Sequence, residues 1–468
     1  MKKFAFIASL IILFANTYAQ DITGKWNGML KVQGMELRLV FHITKSADTY
    51  SALMDSPDQG VTGIPMTTAS FEDSVLILTH STASIVYNGN YLNDQKITGT
   101  FRQAGQSFQM DLTREAIEKT RLIRPQEPVK PFPYHYEDVV INNDVDSLTL
   151  SGTLSLPAKQ GKFPAVILIS GSGPQNRDEE LLGHKPFLVL SDFLTRNGIA
   201  VLRYDDRGTG ESTGDFSKAT SRDFARDVEA AISYLKLRPE IVNNQIGLVG
   251  HSEGAIIAPM VASNSSDVAF IVMMAGSGVR GDELLLMQQE AIAKASGMTD
   301  EELEPLASIN RGAFDIILNT THQDSLRNKI SVYMNKAIDE FPEKTIPEGM
   351  SKSDFINMVV NQTTSHWMQY FVRYNPAVDL QKVNCPVLAI NGSKDLQVPA
   401  TANLKAIKKA LNDGGNQKVT IKEMEGLNHL FQEAETGKPT EYASIEQTFS
   451  PRALEEIHKW IKATLSTL

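Results

Sequence analysis

A serine flanked two residues away by glycines occurs twice, in Gly250-His251-Ser252-Glu253-Gly254 and in Gly210-Glu211-Ser212-Thr213-Gly214. The pattern carries chemistry only where the serine sits on a sharp strand-to-helix turn that presents its hydroxyl. Ser252 meets that condition. It comes straight off the apolar run 246–249 and leads into Ala255-Ile256-Ile257-Ala258, which can open a helix. Ser212 lies in a Gly-rich loop well past its strand, with no helix behind it, and reads as a loop serine.

A serine hydroxyl attacks only with a base within hydrogen-bond reach and an acid that orients that base. Nine histidines make the search short. His429 follows the last strand-like run, 419–423, and Asp395 follows the one before it, 386–390. Both then lie on loops at the carboxyl edge of a sheet, the edge where Ser252 sits and where ligands of open α/β sheets collect. The remaining histidines fit less well. His42 and His80 belong to another domain, His135 to a linker and His458 to the last helix, while His366 follows no strand. His251, next to the nucleophile, is expected to point elsewhere. Asp379 and Glu425 are the fallback acids, with Asp379 at the wrong edge.

Acyl transfer also needs donors for a developing oxyanion, and losing one costs roughly 3–4 kcal/mol. The backbone N–H of Glu253, directly after the nucleophile, is one candidate. The turn Ser170-Gly171-Ser172-Gly173-Pro174 offers the other, Ser172 first and Gly173 second. No Gly-Lys-Ser/Thr follows that turn, so it is not a phosphate loop, and Arg207-Gly208-Thr209-Gly210 lacks the spacing of a dinucleotide fingerprint.

The elements that must hold these residues begin near Tyr134. Apolar strands at 165–170, 200–204, 246–250, 270–275, 386–391 and 419–423 alternate with amphipathic stretches at 187–197, 221–237 and 401–411. That rhythm predicts a mostly parallel sheet with helices on both faces. Residues 281–379 break it with helix-like sequence and no strand, which predicts a helical cap. Within the cap, residues 366–374 carry aromatics at helical spacing, better read as packing than as a pocket wall. Upstream, short alternating runs separated by turn residues predict a small antiparallel sandwich or barrel over 20–115. Pro125, Pro128, Pro131 and Pro133 mark residues 116–135 as a linker. The α/β domain then runs from 136 to 468.

The N-terminus reads as an address. Lys2 and Lys3 precede an apolar run at 4–15 and then Thr17-Tyr18-Ala19, the layout of a secretory signal peptide cut after Ala19. The run is too short to span a bilayer, so an exported protein without a stable membrane anchor is expected, periplasmic or secreted. A formal net charge of −10 with no basic block argues against nucleic acid. Cys385 is the only cysteine, which excludes an intrachain disulfide and a cysteine-built metal site. The chemistry calls for no metal or organic cofactor.

From about Leu150 onward the sequence resembles the α/β-hydrolase superfamily, and within it bacterial carboxylesterases of the serine aminopeptidase-like branch. The resemblance rests on Ser170-Gly171-Ser172-Gly173-Pro174, the run from Arg203 to Gly210, Gly250-His251-Ser252-Glu253-Gly254, the run from Pro386 to Asp395, and Gly426-Leu427-Asn428-His429. It implies Ser252 as nucleophile, His429 as base and Asp395 as its orienter, with Asp205-Asp206-Arg207 bracing a loop near the site. The β domain looks like the leader domain of some exported esterases. The expectation is hydrolysis of a small-molecule carboxylic ester through an acyl-enzyme. The rivals are an aminopeptidase-like enzyme with the same triad, for which Asp282 and Glu283 would grip a peptide N-terminus, and a non-catalytic ligand-binding protein.

Overall fold

The computed structural model describes residues 21–467 apart from 33–34, 48, 60, 82–84, 104–105, 119–123 and 341–350. The signal-peptide reading of residues 1–19 therefore lies outside the described residues. The described chain divides into two compact units, 21–118 and 124–467.

In the first unit the strands are β1 (Gly24–Val32), β2 (Met35–Ser46), β3 (Thr49–Ser56), β4 (Val61–Pro65), β5 (Thr68–Glu72), β6 (Val75–His80), β7 (Ile85–Asn93), β8 (Lys96–Gln103), β9 (Gln106–Gln109) and β10 (Leu112–Thr113). They form one antiparallel sheet in the order β4-β3-β2-β1-β10-β8-β7-β6-β5, with β9 on β8. Alternation along the strands turns Trp26, Phe41, Tyr87 and Phe101 to one face, where they are buried together. The sheet curls around them. Met66 N–H donates to Ala52 O on β3 and Thr67 N–H to Thr79 O on β6, so the link from β4 to β5 draws the two margins toward each other. Of the two expected forms, this half-barrel is closer to the barrel than to the sandwich.

The second unit holds the sheet on which the candidate site is built. Its strands are β11 (His135–Asn143), β12 (Leu148–Leu156), β13 (Phe163–Ile169), β14 (Ala200–Tyr204), β15 (Ile241–His251), β16 (Phe270–Met274), β17 (Val387–Gly392) and β18 (Val419–Met424), in the order β11-β12-β14-β13-β15-β16-β17-β18. The first two junctions are antiparallel and all the others parallel. Both faces are covered, so the central strands are buried on both sides, as β14 and β16 are throughout, and β16 is apolar along its whole length. On β13, Ala165, Ile167 and Ile169 join one core while Val166 and Leu168 join the other. Helices α1 (Pro186–Arg196), α2 (Ser221–Lys236) and α3 (Gly254–Ala262) follow β13, β14 and β15. Between β16 and β17 lie only helices among the described residues: α4 (Gly281–Ala295), α5 (Asp300–Leu318), α6 (Gln323–Glu340), α7 (Lys352–Thr363), α8 (His366–Arg373) and α9 (Ala377–Leu380). Helices α10 (Ala400–Asp413) and α11 (Pro451–Leu465) complete the layers. Helices α2, α3 and α10 pack on one face of the sheet, α1 and α11 on the other.

Part of the proline-rich segment is not a free spacer. The buried Arg124 guanidinium donates to the carbonyls of Leu182, Gly183, Ala443 and Ile445, and Gln126 accepts from Thr448 and Phe449 N–H. A guanidinium with five donors can satisfy several loop carbonyls at once, a capacity that proline spacing does not reveal.

Candidate active site

Ser252 sits where β15 ends, two residues before α3 begins, with φ of +53°. That left-handed backbone is unfavourable for a non-glycine residue, and the turn is held because nothing else fits. A Cβ on Gly250 would meet Gly254 O at 2.0 Å, and one on Gly254 would meet Ile169 O at 2.1 Å. The two glycines of the motif are thus the points where turn, helix and β13 pass in backbone contact. Ser252 N–H is fixed by Met274 O at 2.9 Å.

His429 lies on the loop after β18. Asn428 shapes that loop by accepting from the N–H groups of Leu430 and Gln432, both at 3.0 Å. The imidazole Nε2 stands 3.1 Å from Ser252 Oγ, and Nδ1 stands 2.8 Å from Asp395 Oδ2. Asp395, on the loop after β17, accepts at Oδ1 from Gln397 N–H and Val398 N–H, each at 2.8 Å. Its carboxylate therefore has donors on both oxygens while buried, which offsets the loss of hydration around the charge. The three side chains expected from sequence come together in one hydrogen-bonded line, on loops after β15, β17 and β18.

The oxyanion candidates also converge. Gly171 lies against the nucleophile, since a Cβ there would be 3.2 Å from Ser252 Cβ. Its own N–H is taken by Glu179 Oε1 at 2.7 Å. The next amides, Ser172 and Gly173, and the amide of Glu253 have no acceptor among the described residues. The run Asp205-Asp206-Arg207 braces this turn and its surroundings. Asp206 accepts from Ser170 Oγ at 2.8 Å and from Gln175 N–H at 3.0 Å, and burial raises its carboxyl pKa to about 8. Asp205 is paired with Arg177 at 2.8 Å, and Arg207 with Asp227 at 2.7 Å.

Three residues were not foreseen as neighbours of the site. His251 does not bond Ser252, yet its ring lies against His429, with centroids 4.9 Å apart, and bonds Glu179 and His429 O. Trp367 on α8 donates its indole N–H to Glu253 Oε1 at 2.8 Å. The alternatives are engaged elsewhere. Ser212 Oγ donates to Asp205 O, Asp379 accepts from Tyr374 OH, and Asp282 is bound by Arg280. His366 lines a cap groove with Tyr370 and Arg373.

Sheet order, an antiparallel second strand and a nucleophile turn after the fifth strand define an α/β-hydrolase, resembling bacterial carboxylesterases. More than half of the chain, residues 146–422, matches the X-Pro dipeptidyl-peptidase (S15) family, and the chain belongs to that family. It is 25% identical to the esterase EstD of Thermotoga maritima over 71% of this chain and 69% of the relative. An uncharacterized 31.7 kDa protein of Escherichia coli is 24% identical over 67% of this chain and 95% of its own length. Among solved structures, the Pyrococcus furiosus esterase Pf2001 aligns with a TM-score of 0.42 and 16% identity over 75% of this chain and 100% of that one.

Proposed function

We propose that this hydrolase cleaves carboxylic esters of small molecules through an acyl-enzyme. The observation that carries the reading is the line Ser252 Oγ, His429 Nε2, His429 Nδ1, Asp395 Oδ2, beside the amides of Ser172 and Glu253, which have no acceptor among the described residues. Ser252 Oγ attacks the ester carbonyl as His429 Nε2 takes its proton. Asp395 holds the imidazole in the tautomer that leaves Nε2 free to accept, and stabilises the imidazolium. The two amides receive the oxyanion. His429 then returns the proton to the departing alcohol, and water, activated by the same imidazole, releases the acid.

The family description favours a second reading, cleavage of peptides by the same residues. A peptidase of that kind needs a carboxylate free to meet a substrate amine. Asp282, the buried candidate, gives both oxygens to Arg280 at 2.6 and 2.7 Å. The esterase name of the Thermotoga relative also favours the ester reading. Hydrolysis of a short p-nitrophenyl ester should fall at least about 10³-fold in Ser252→Ala. Unchanged turnover in that variant refutes the assignment, and faster cleavage of aminoacyl amides than of esters selects the peptidase. Export is part of the proposal: the mature protein recovered from its host should begin at Gln20, and a retained Met1 would overturn this.

A further inference from the structure

Behind the catalytic line lies a second, shorter one that the reaction does not consume. His251 is buried, and each ring nitrogen has one partner at 2.9 Å: Nδ1 faces Glu179 Oε1 and Nε2 faces the carbonyl oxygen of His429. Glu179 is buried too, and the same Oε1 accepts from Gly171 N–H. The pair therefore reaches backbone on both sides of the site. On one side is the turn that carries the Ser172 amide, on the other the loop that carries the base.

The proton inventory is constrained. A carbonyl oxygen has no hydrogen to give, so Nε2 of His251 must be the donor toward His429. A neutral imidazole would then have a bare Nδ1 facing a carboxylate oxygen that already accepts from Gly171. The arrangement is satisfied when His251 donates at both nitrogens and Glu179 is ionised, a neutral pair overall. The groups facing His251 fit this state. Glu179 is in contact, Asp395 adds a second negative charge nearby, and together with the His429 carbonyl these raise the pKa of His251 despite burial that would lower it. Glu179 also has a φ of +51°, an unfavourable backbone for a non-glycine residue and one kept where the surroundings demand it.

We propose that Glu179 and a doubly protonated His251 are positioning residues that tie the oxyanion turn to the loop of the general base. This rests on the reading of Ser252, His429 and Asp395 as catalytic. The amide isostere Glu179→Gln tests it, because it keeps the volume but removes the charge that lets one imidazole donate twice. With a neutral imidazole one bond of the link must then be lost: either His251 gives up the amide oxygen or the His429 carbonyl, or the amide turns its NH2 to Nδ1 and leaves Gly171 N–H without its acceptor. With p-nitrophenyl acetate, E179Q in the full chain should lose roughly 10–100-fold in kcat, the scale of a misplaced catalytic group, with KM within about twofold. The double variant with His251→Asn should be no slower than the slower single one, since both cut the same link. A kcat for E179Q within twofold of the wild type, alongside an inactive Ser252→Ala, overturns the pairing and leaves the catalytic reading standing. An active Ser252→Ala overturns both. Should E179Q fail to fold, the wild-type chain decides. With ring-¹⁵N histidine at pH 8, protons on both His251 nitrogens support the proposal and a proton on only one overturns it.

Discussion

The indole N–H of Trp367 donates to Glu253 Oε1 at 2.8 Å, so a cap helix is bonded to the residue that directly follows the candidate nucleophile. Glu253 is buried, and Ser221 Oγ donates to the same oxygen at 2.6 Å. Burial raises the Glu253 pKa, and the two donors only partly oppose it. Trp367→Phe keeps a ring to stack on Phe371, now 4.8 Å away, but removes one of the donors. The expected loss is about 1–3 kcal/mol at neutral pH, measured by denaturant unfolding. The Trp367 N–H opposes that rise because it stabilises the carboxylate more than the neutral acid, so its loss costs more as pH rises and less as pH falls. The deficit of the variant should therefore shrink as pH falls. An equal deficit at every pH would show that the lost bond does not act through the carboxylate.

Asp395→Asn separates charge from shape. The asparagine can still accept from Gln397 and Val398 N–H, so the loop after β17 should hold and the fold should keep its unfolding midpoint within a few degrees. Against His429 Nδ1, however, an amide neither stabilises an imidazolium nor secures the tautomer with Nε2 free. Steady-state kinetics should give a kcat roughly 10³–10⁴-fold lower. A kcat near wild type would mean that another carboxylate orients the base.

The three catalytic candidates were legible because each lies within a few residues of the end of a strand, and strand ends on one edge of a parallel sheet converge whatever the intervening sequence. The helices on both faces followed from the alternation of strands and amphipathic runs for the same reason. Glu179 was not legible. It sits among Asn176, Arg177, Asp178 and Glu180, and nothing in that polar run distinguishes the carboxylate that turns inward. His251 was set aside because side chains alternate along a strand, which correctly keeps it off Ser252 but does not reveal the loop from β18 folding back over it. The Trp367–Glu253 bond spans 114 positions and depends on how the cap docks, which helical spacing does not encode.

The glycines of the nucleophile turn predict a steric outcome. In Gly254→Ala the new methyl would stand 2.1 Å from Ile169 O and 2.7 Å from Ser170 O, and these are backbone atoms with little freedom to yield. Overpacking of this kind costs typically 1–3 kcal/mol. Because relief must push α3 away from the strand that leads into the Ser170–Gly173 turn, activity should fall further than stability. Labelling by a fluorophosphonate should be slowed at least about tenfold in protein that remains folded. Normal labelling would show that the close approach is not needed to set Ser252 against the oxyanion donors.

Asp206 makes a prediction of opposite character, a stabilising substitution beside the site. Its carboxyl is buried among Ser170, Gln175 and the acids Glu253 and Asp227, and its pKa is raised to about 8, chiefly by burial. The folded state then holds a proton that the unfolded chain gives up near pH 4. Stability from this group is complete below that pH and is lost progressively as pH rises toward 8, with a slope of at most about 1.4 kcal/mol per pH unit. Asparagine fits the same bonds. Its carbonyl oxygen can accept from Gln175 N–H, and its amide can donate to Ser170 Oγ, which is able to accept. Asp206→Asn should therefore unfold with a flatter pH dependence between pH 5 and 8 and be more stable than the wild type at pH 8. An unchanged dependence in the variant between pH 5 and 8 would mean that Asp206 is ionised in the folded protein, and that the turn carrying Ser172 is braced by a carboxylate rather than by a neutral acid.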